Sequence, residues 1–192
     1  VITVLLPKDK NNPKFFGNRQ EDFFISRKIN GQWSKATNIG PPLNTPDNEG
    51  AQSVMIDGKA MFYTACNREA GYGMCDLYFS RKKDDRWSAG INLQRPVNTK
   101  YSEKQPSISS DGRSLYFASN RQGTKGKLDL WVSYLSDQGY WSEPENLGDV
   151  INTEEDDAAP FIHPDGKTLY FASQGHVGMG GFDLFMTKKD SA

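Results

Sequence analysis

The sequence holds only two histidines and two cysteines among 192 residues. A protein-built zinc site draws several such ligands from a short spacing, and no His-x-x-x-His or His-Glu-x-x-His pattern occurs, so no metal centre is expected. Charge of one sign is also missing. Lys and Arg number 23 against 24 Asp and Glu, a net charge of -1, which leaves no basic surplus for a phosphate backbone and argues against nucleic acid as a partner. No apolar run approaches the roughly 20 residues of a membrane-spanning helix, so no membrane insertion is expected. Helical periodicity is absent throughout. No signal peptide precedes Val1, and the chain opens without methionine, as expected of a processed product or a part of a longer protein.

What is present is a period. Asp57-Gly58, Asp111-Gly112 and Asp165-Gly166 recur at a step of 54 residues. Each pair suits the positive φ angles of a two-residue type I′ hairpin and runs into an aromatic-rich, strand-like segment such as Ser114 to Ser119. Other landmarks fall into the same register. Trp33, Trp87 and Trp141 each precede a serine, and Asn38, Asn92 and Asn146 follow. Then come Asn44-Thr45, Asn98-Thr99 and Asn152-Thr153, and after them the acids Glu49, Glu103 and Asp157. Asp22, Asp76, Asp129 and Asp183 open a further apolar run in each unit. Self-similarity across the whole chain marks a repeat architecture.

One unit contains four strand signals: A (Gln105 to Ser109), B (Ser114 to Ser119), C (Asp129 to Tyr134) and D (Trp141 to Leu147). Four short antiparallel strands per unit predict an all-β fold, a β-propeller of four-stranded blades with the Trp-Ser rings packed between neighbours. The chain reads as one domain, 1–192, with about four blades near 1–44, 45–98, 99–152 and 153–192. Val1 to Leu6 is expected as a first A strand and Phe15 to Arg19 as a first B strand. The last unit stops before a D strand, so either a terminal segment completes it or the chain is an arc of a larger ring.

In such a blade the D–A and B–C loops share one face, and the A–B and C–D turns share the other. The loop-rich face therefore collects Glu49, Glu103 and Asp157 with Arg68, Tyr72, Arg121 and His176, the candidate partner-binding residues. Several carboxylates round a channel could hold a hard cation; a single acid tied to its own loop's backbone donors is the favoured alternative. The Asp at each C-strand entrance and the arginine before it (Arg19, Arg68, Arg121) suggest a repeated ion pair. Cys66 and Cys75 sit at facing ends of one hairpin, either as a disulfide closing a short loop or as two half-buried thiols. No nucleophile elbow or triad grouping is present, and Gly175 to Gly181 is not followed by Lys-Ser/Thr, so neither a catalytic centre nor a cofactor is expected.

The run Trp-Ser-x-Pro-x-Asn-Leu-Gly (Trp141 to Gly148), then Pro-x-Ile-x-Pro-Asp-Gly-Lys-x-Leu-Tyr-Phe-Ala-Ser (Pro160 to Ser173) and Gly-Gly-x-Asp-Leu (Gly180 to Leu184), resembles the Pro-Asp-type, WD-repeat-like repeats of TolB-like propellers. It is most similar to the subset in periplasmic OmpA-family lipoproteins of Bacteroidetes, including the PorE-like component of the type IX secretion system. The resemblance implies a non-catalytic interaction scaffold in the periplasm, associated with the outer membrane. Its partners would be periplasmic proteins, with peptidoglycan reached through a linked domain outside this chain. Two other classes remain open. One is a propeller-type glycosidase or polysaccharide lyase using channel carboxylates; the other is the regulatory propeller of a peptidase.

Overall fold

The computed structural model describes residues 1–7 and 19–190, which form strands, turns and bends with no helix among them. The first sheet contains β1 (Ile2–Pro7), β2 (Arg19–Ile25) and β5 (Thr37–Asn38), beside a small hairpin of β3 (Lys28–Ile29) and β4 (Gln32–Trp33). The second contains β6 (Asn48–Val54), β7 (Ala60–Cys66), β8 (Cys75–Lys83) and β10 (Ile91–Asn92), with β9 (Arg86–Trp87) folded onto β8. The third is β11 (Glu103–Ile108), β12 (Ser114–Ser119), β13 (Asp129–Tyr134) and β14 (Glu145–Asn146). The fourth is β15 (Asp157–Ile162), β16 (Thr168–Ser173) and β17 (Asp183–Lys188). All pairings within these sheets are antiparallel, and β11 lies against both β6 and β15, so the inner strands of successive sheets are neighbours. This is the predicted propeller plan of A-B-C-D blades.

Three local expectations are corrected. β2 carries Asp22 and is therefore the first C strand, and β1 pairs with it from Ile2↔Phe24 to Pro7↔Arg19. Val1 to Leu6 thus supplies a B strand, not an A strand. Arg19 opens β2, and Phe15 to Asn18 lie outside the described residues. The connection from Pro7 to Arg19 is longer than that from Cys66 to Cys75, which throws the repeat out of register there. The D strands shrink to two residues, as in β14, with Trp141 contributing a single bridge to Leu135. In the Asp-Gly turns only the glycine has positive φ (Gly58 68°, Gly112 73°, Gly166 68°). These are four-residue turns closed by Gly112 N–H to the Ser109 carbonyl, 2.9 Å, and its equivalents. The aspartate accepts from the residue after glycine, as Arg113 N–H to Asp111 Oδ1 at 2.9 Å, so its side chain caps the turn.

The core lies in slabs between sheets. In β7, Met61, Tyr63 and Ala65 face the first sheet with Phe23 and Leu43, whereas Phe62 faces the third with Leu115, Phe117 and Trp131. A strand sandwiched in this way must be apolar on both sides, which explains the unbroken run of buried residues in β7. Trp87 packs into the first slab and Trp141 into the second, edge-on to Phe62 at 6.1 Å. Trp33 does not follow them. It is 71% exposed, because among the described residues no sheet precedes its own.

Neighbouring sheets are stitched near the axis. Ile108 N–H donates to Ser53 Oγ (3.1 Å), Ile162 N–H to Ser107 Oγ (3.0 Å) and Ala159 N–H to Gln105 Oε1 (2.9 Å). These bonds occur where each inner strand bulges at Ala51, Gln105 or Ala159, all with φ near +50°.

Candidate functional site

The loop-rich face is built by a side-chain clasp repeated in the first three units. Asn98 Oδ1 accepts from Leu77 N–H at 2.9 Å, and its Nδ2 donates to the Leu77 carbonyl at 2.8 Å. The D–A loop thereby completes the pairing of the C strand where the two-residue D strand ends. Asn152 does the same to Leu130 and Asn44 to Phe23. Asn92 links the clasp to Asp76 at 2.9 Å, and Asp76 also accepts from the backbone of Tyr72 and Gly73 in the B–C loop. The expected aspartate–arginine pair is therefore replaced. Asp76, Asp129 and Asp183 bind N–H groups of their own B–C loops, and the arginines turn elsewhere.

Glu49, Glu103 and Asp157 lie at the base of this face with no exposed surface, not on it. Glu49 accepts from Thr45 N–H (3.1 Å) and Thr45 Oγ1 (2.6 Å), and pairs with the Arg68 guanidinium. Burial pushes its carboxyl up to about 7, against the pull of Thr45 and Arg68. Glu103 accepts from Thr99 and Ser119 and pairs with Arg121 at 3.2 Å; burial raises its pKa as well. Arg121 is itself buried, which lowers its pKa. It donates to the Val97 carbonyl and lies over the rings of Phe117 (4.9 Å) and Trp131 (5.3 Å).

The fourth unit departs from this scheme. His176 takes the arginine's place, with Nε2 2.9 Å from the Ile151 carbonyl and its ring among Phe171 and Phe185. Asp157 is shorter than glutamate and is bonded through Oδ2 to Thr153; its buried Oδ1 has no hydrogen-bond partner among the described residues. The structure therefore joins Glu49 to Arg68 and Glu103 to Arg121, but not Asp157 to His176.

Of the sequence candidates, Tyr72 is the one that presents a large surface, at 39% exposure. Its hydroxyl donates to Gln94 at 2.8 Å, and Arg95 lies 5.7 Å from its ring. Cys66 and Cys75 are bonded, with 4.0 Å between their Cα atoms, so the disulfide closes the base of the loop that carries Arg68 and Tyr72.

Two equivalent cavities open on this face, one at each of two blade boundaries. The first, of 380 Å³, lies beside Arg68, Asp47, Glu69 and Tyr78. The second, of 520 Å³, is lined by Arg95, Lys100, Tyr101, Arg121, Trp131 and Pro144, among others. Arg95, Lys100, Tyr101 and Trp131 were not among the sequence candidates. The available signal was the break in the repeat: Pro41, Pro46 and Asp47 stand where Arg95, Lys100 and Tyr101 follow one period later.

No family model matches the chain, and no curated protein matches it in sequence. Solved structures do. TolB from Acinetobacter baumannii superposes with a TM-score of 0.55 at 14% identity, over 88% of this chain and 35% of that one. A TolB homologue from Agrobacterium tumefaciens gives 0.52 at 19% identity, over 86% and 61%. A puromycin hydrolase mutant gives 0.46 at 14% identity, over 90% and 27%. The chain thus spans about a third of the first TolB and three fifths of the second. With the blades, the clasp and the shared loop face, the likeness to the two TolB structures gives the fold: the chain is a β-propeller that resembles theirs.

Proposed function

We propose that the chain is a non-catalytic protein–protein interaction scaffold in the periplasm. In this reading it is the propeller module of an outer-membrane-associated OmpA-family protein and a component of the type IX secretion system. Peptidoglycan would be reached through a linked domain. One observation carries the non-catalytic part. The carboxylates a glycosidase or lyase would use, Glu49, Glu103 and Asp157, are wholly buried and bonded to threonines of their own loops. A general acid or a nucleophile must reach substrate, and these do not. The rigid sheets leave the B–C and D–A loops free to vary, which suits recognition. The Cys66–Cys75 bond supports an oxidising compartment, and the repeat pattern from Trp141 to Leu184 supports the OmpA-family attachment.

Site-specific photo-crosslinking in intact cells tests this reading. A crosslinker at Gln122, on the loop-rich face, is expected to trap a discrete envelope protein, whereas one at Asp84, on the opposite face, traps none. Adducts from Asp84 alone, or turnover of a glycan by the purified protein, would overturn it.

A further inference from the structure

We infer that the cavity between the second and third sheets is a binding site for an acidic, aromatic-bearing peptide segment of the partner; this rests on the interaction-module reading above. The cavity measures 520 Å³, large enough for one or two side chains, and Pro144, Tyr101 and Trp131 give it apolar walls. Three cations line it, Arg95, Lys100 and Arg121, against one acid, Glu143, in a chain whose net charge is -1.

The cations divide into two kinds. Arg121 is structural, held by Glu103 and the Val97 carbonyl and almost fully buried. Arg95 and Lys100 are exposed, and among the described residues neither forms an ion pair. Each rests instead near an aromatic face: Arg95 5.7 Å from the Tyr72 ring and Lys100 5.3 Å from the Tyr101 ring. Such contacts steady a cation without neutralising it, so both charges remain available to a carboxylate.

The fold does not ask for these charges. The equivalent cavity one blade earlier has the corresponding arginine, the half-buried Arg68, and an aromatic wall, yet carries Asp47 and Glu69. One blade later, Asp149 and Glu154 stand where Arg95 and Lys100 are. One cradle is therefore built by the repeat, and at a single boundary it is made basic. Carboxylates flanking a ring match that boundary: the ring enters between proline and indole, and the acids meet Arg95 and Lys100.

The test uses the full chain and a fluorescein-labelled peptide of sequence Glu-Phe-Glu-Glu-Phe-Glu, with a lysine-for-glutamate version as control. Anisotropy is expected to rise saturably with the acidic peptide alone and to weaken as salt is raised. The double variant Arg95→Glu, Lys100→Glu is expected to weaken binding roughly tenfold while melting like the parent, since both side chains are exposed. Lys82→Glu on the opposite face is expected to change nothing. No saturable binding, equal binding of the lysine peptide, or indifference to the double variant would overturn the proposal. So would tighter binding of single-stranded DNA or of phosphatidylglycerol vesicles. If the Gln122 crosslink to an envelope protein persists while the peptide fails to bind, the cavity assignment falls and the interaction-module reading stands. If both are lost, both readings fall.

Discussion

At the scale of single residues, the fold spends its best hydrogen-bonding side chains on its own loops. Asn98 satisfies both backbone groups of Leu77, a residue with no exposed surface. Asn98→Ala strands the buried Leu77 N–H and leaves the Leu77 carbonyl with the Leu93 N–H as its remaining donor, at a cost of about 2 kcal/mol. Urea denaturation reads that loss directly, and a change below about 1 kcal/mol would show that water replaces the amide. Glu49 makes a prediction of opposite character. Its folded pKa is raised from 4.5 to about 7 by burial, so the folded state holds a proton that the unfolded state releases at lower pH. Stability is therefore expected to fall as pH rises from about 4.5 towards 7, by at most about 1.4 kcal/mol per unit, and to level off above. Glu49→Gln is expected to flatten that slope. A parent whose denaturation midpoint gains on the variant's across this window would contradict the assignment.

At the scale of elements, the B–C loops lean on the next blade. A Cβ on Gly73 would sit 1.5 Å from the Tyr101 carbonyl oxygen, and one on Gly126 would sit 2.1 Å from that of Glu155. Backbone cannot retreat as a side-chain tip can, so Gly73→Ala is expected to cost about 2 kcal/mol or more and to loosen the loop holding Tyr72. A melting temperature within a degree or so of the parent's would refute the close approach. Strand B is legible in the sequence because it is buried on both faces, giving runs such as Leu115-Tyr116-Phe117-Ala118. Strand D is not, because its ladder is two residues long and the Asn98 side chain takes over at Leu77, where the ladder ends. The first unit is misread since the long connection after Pro7 breaks the period on which the alignment rests. The acids are placed correctly along the chain and wrongly in depth. A carboxylate's spacing says which loop it serves, whereas its burial depends on the threonine and arginine folded over it.

At the scale of the whole molecule, sheets of near-identical build carry loops of differing charge. The stitching between inner strands and the slabs of Phe62, Leu115, Phe117 and their equivalents recur from blade to blade. The charges on the D–A loops do not, passing from Asp47 to Arg95 and Lys100 and then to Asp149 and Glu154. Constant sheets with variable loops are what the proposed recognition role requires. Hydrogen–deuterium exchange of the full protein, with and without the envelope protein trapped at Gln122, tests that claim most directly. Slowed exchange confined to the loops around Tyr72, Lys100 and Gln122, with the turns at Asp57, Asp111 and Asp165 unchanged, is the predicted result. Protection of those turns instead, with the loops exchanging as in the free protein, would contradict it.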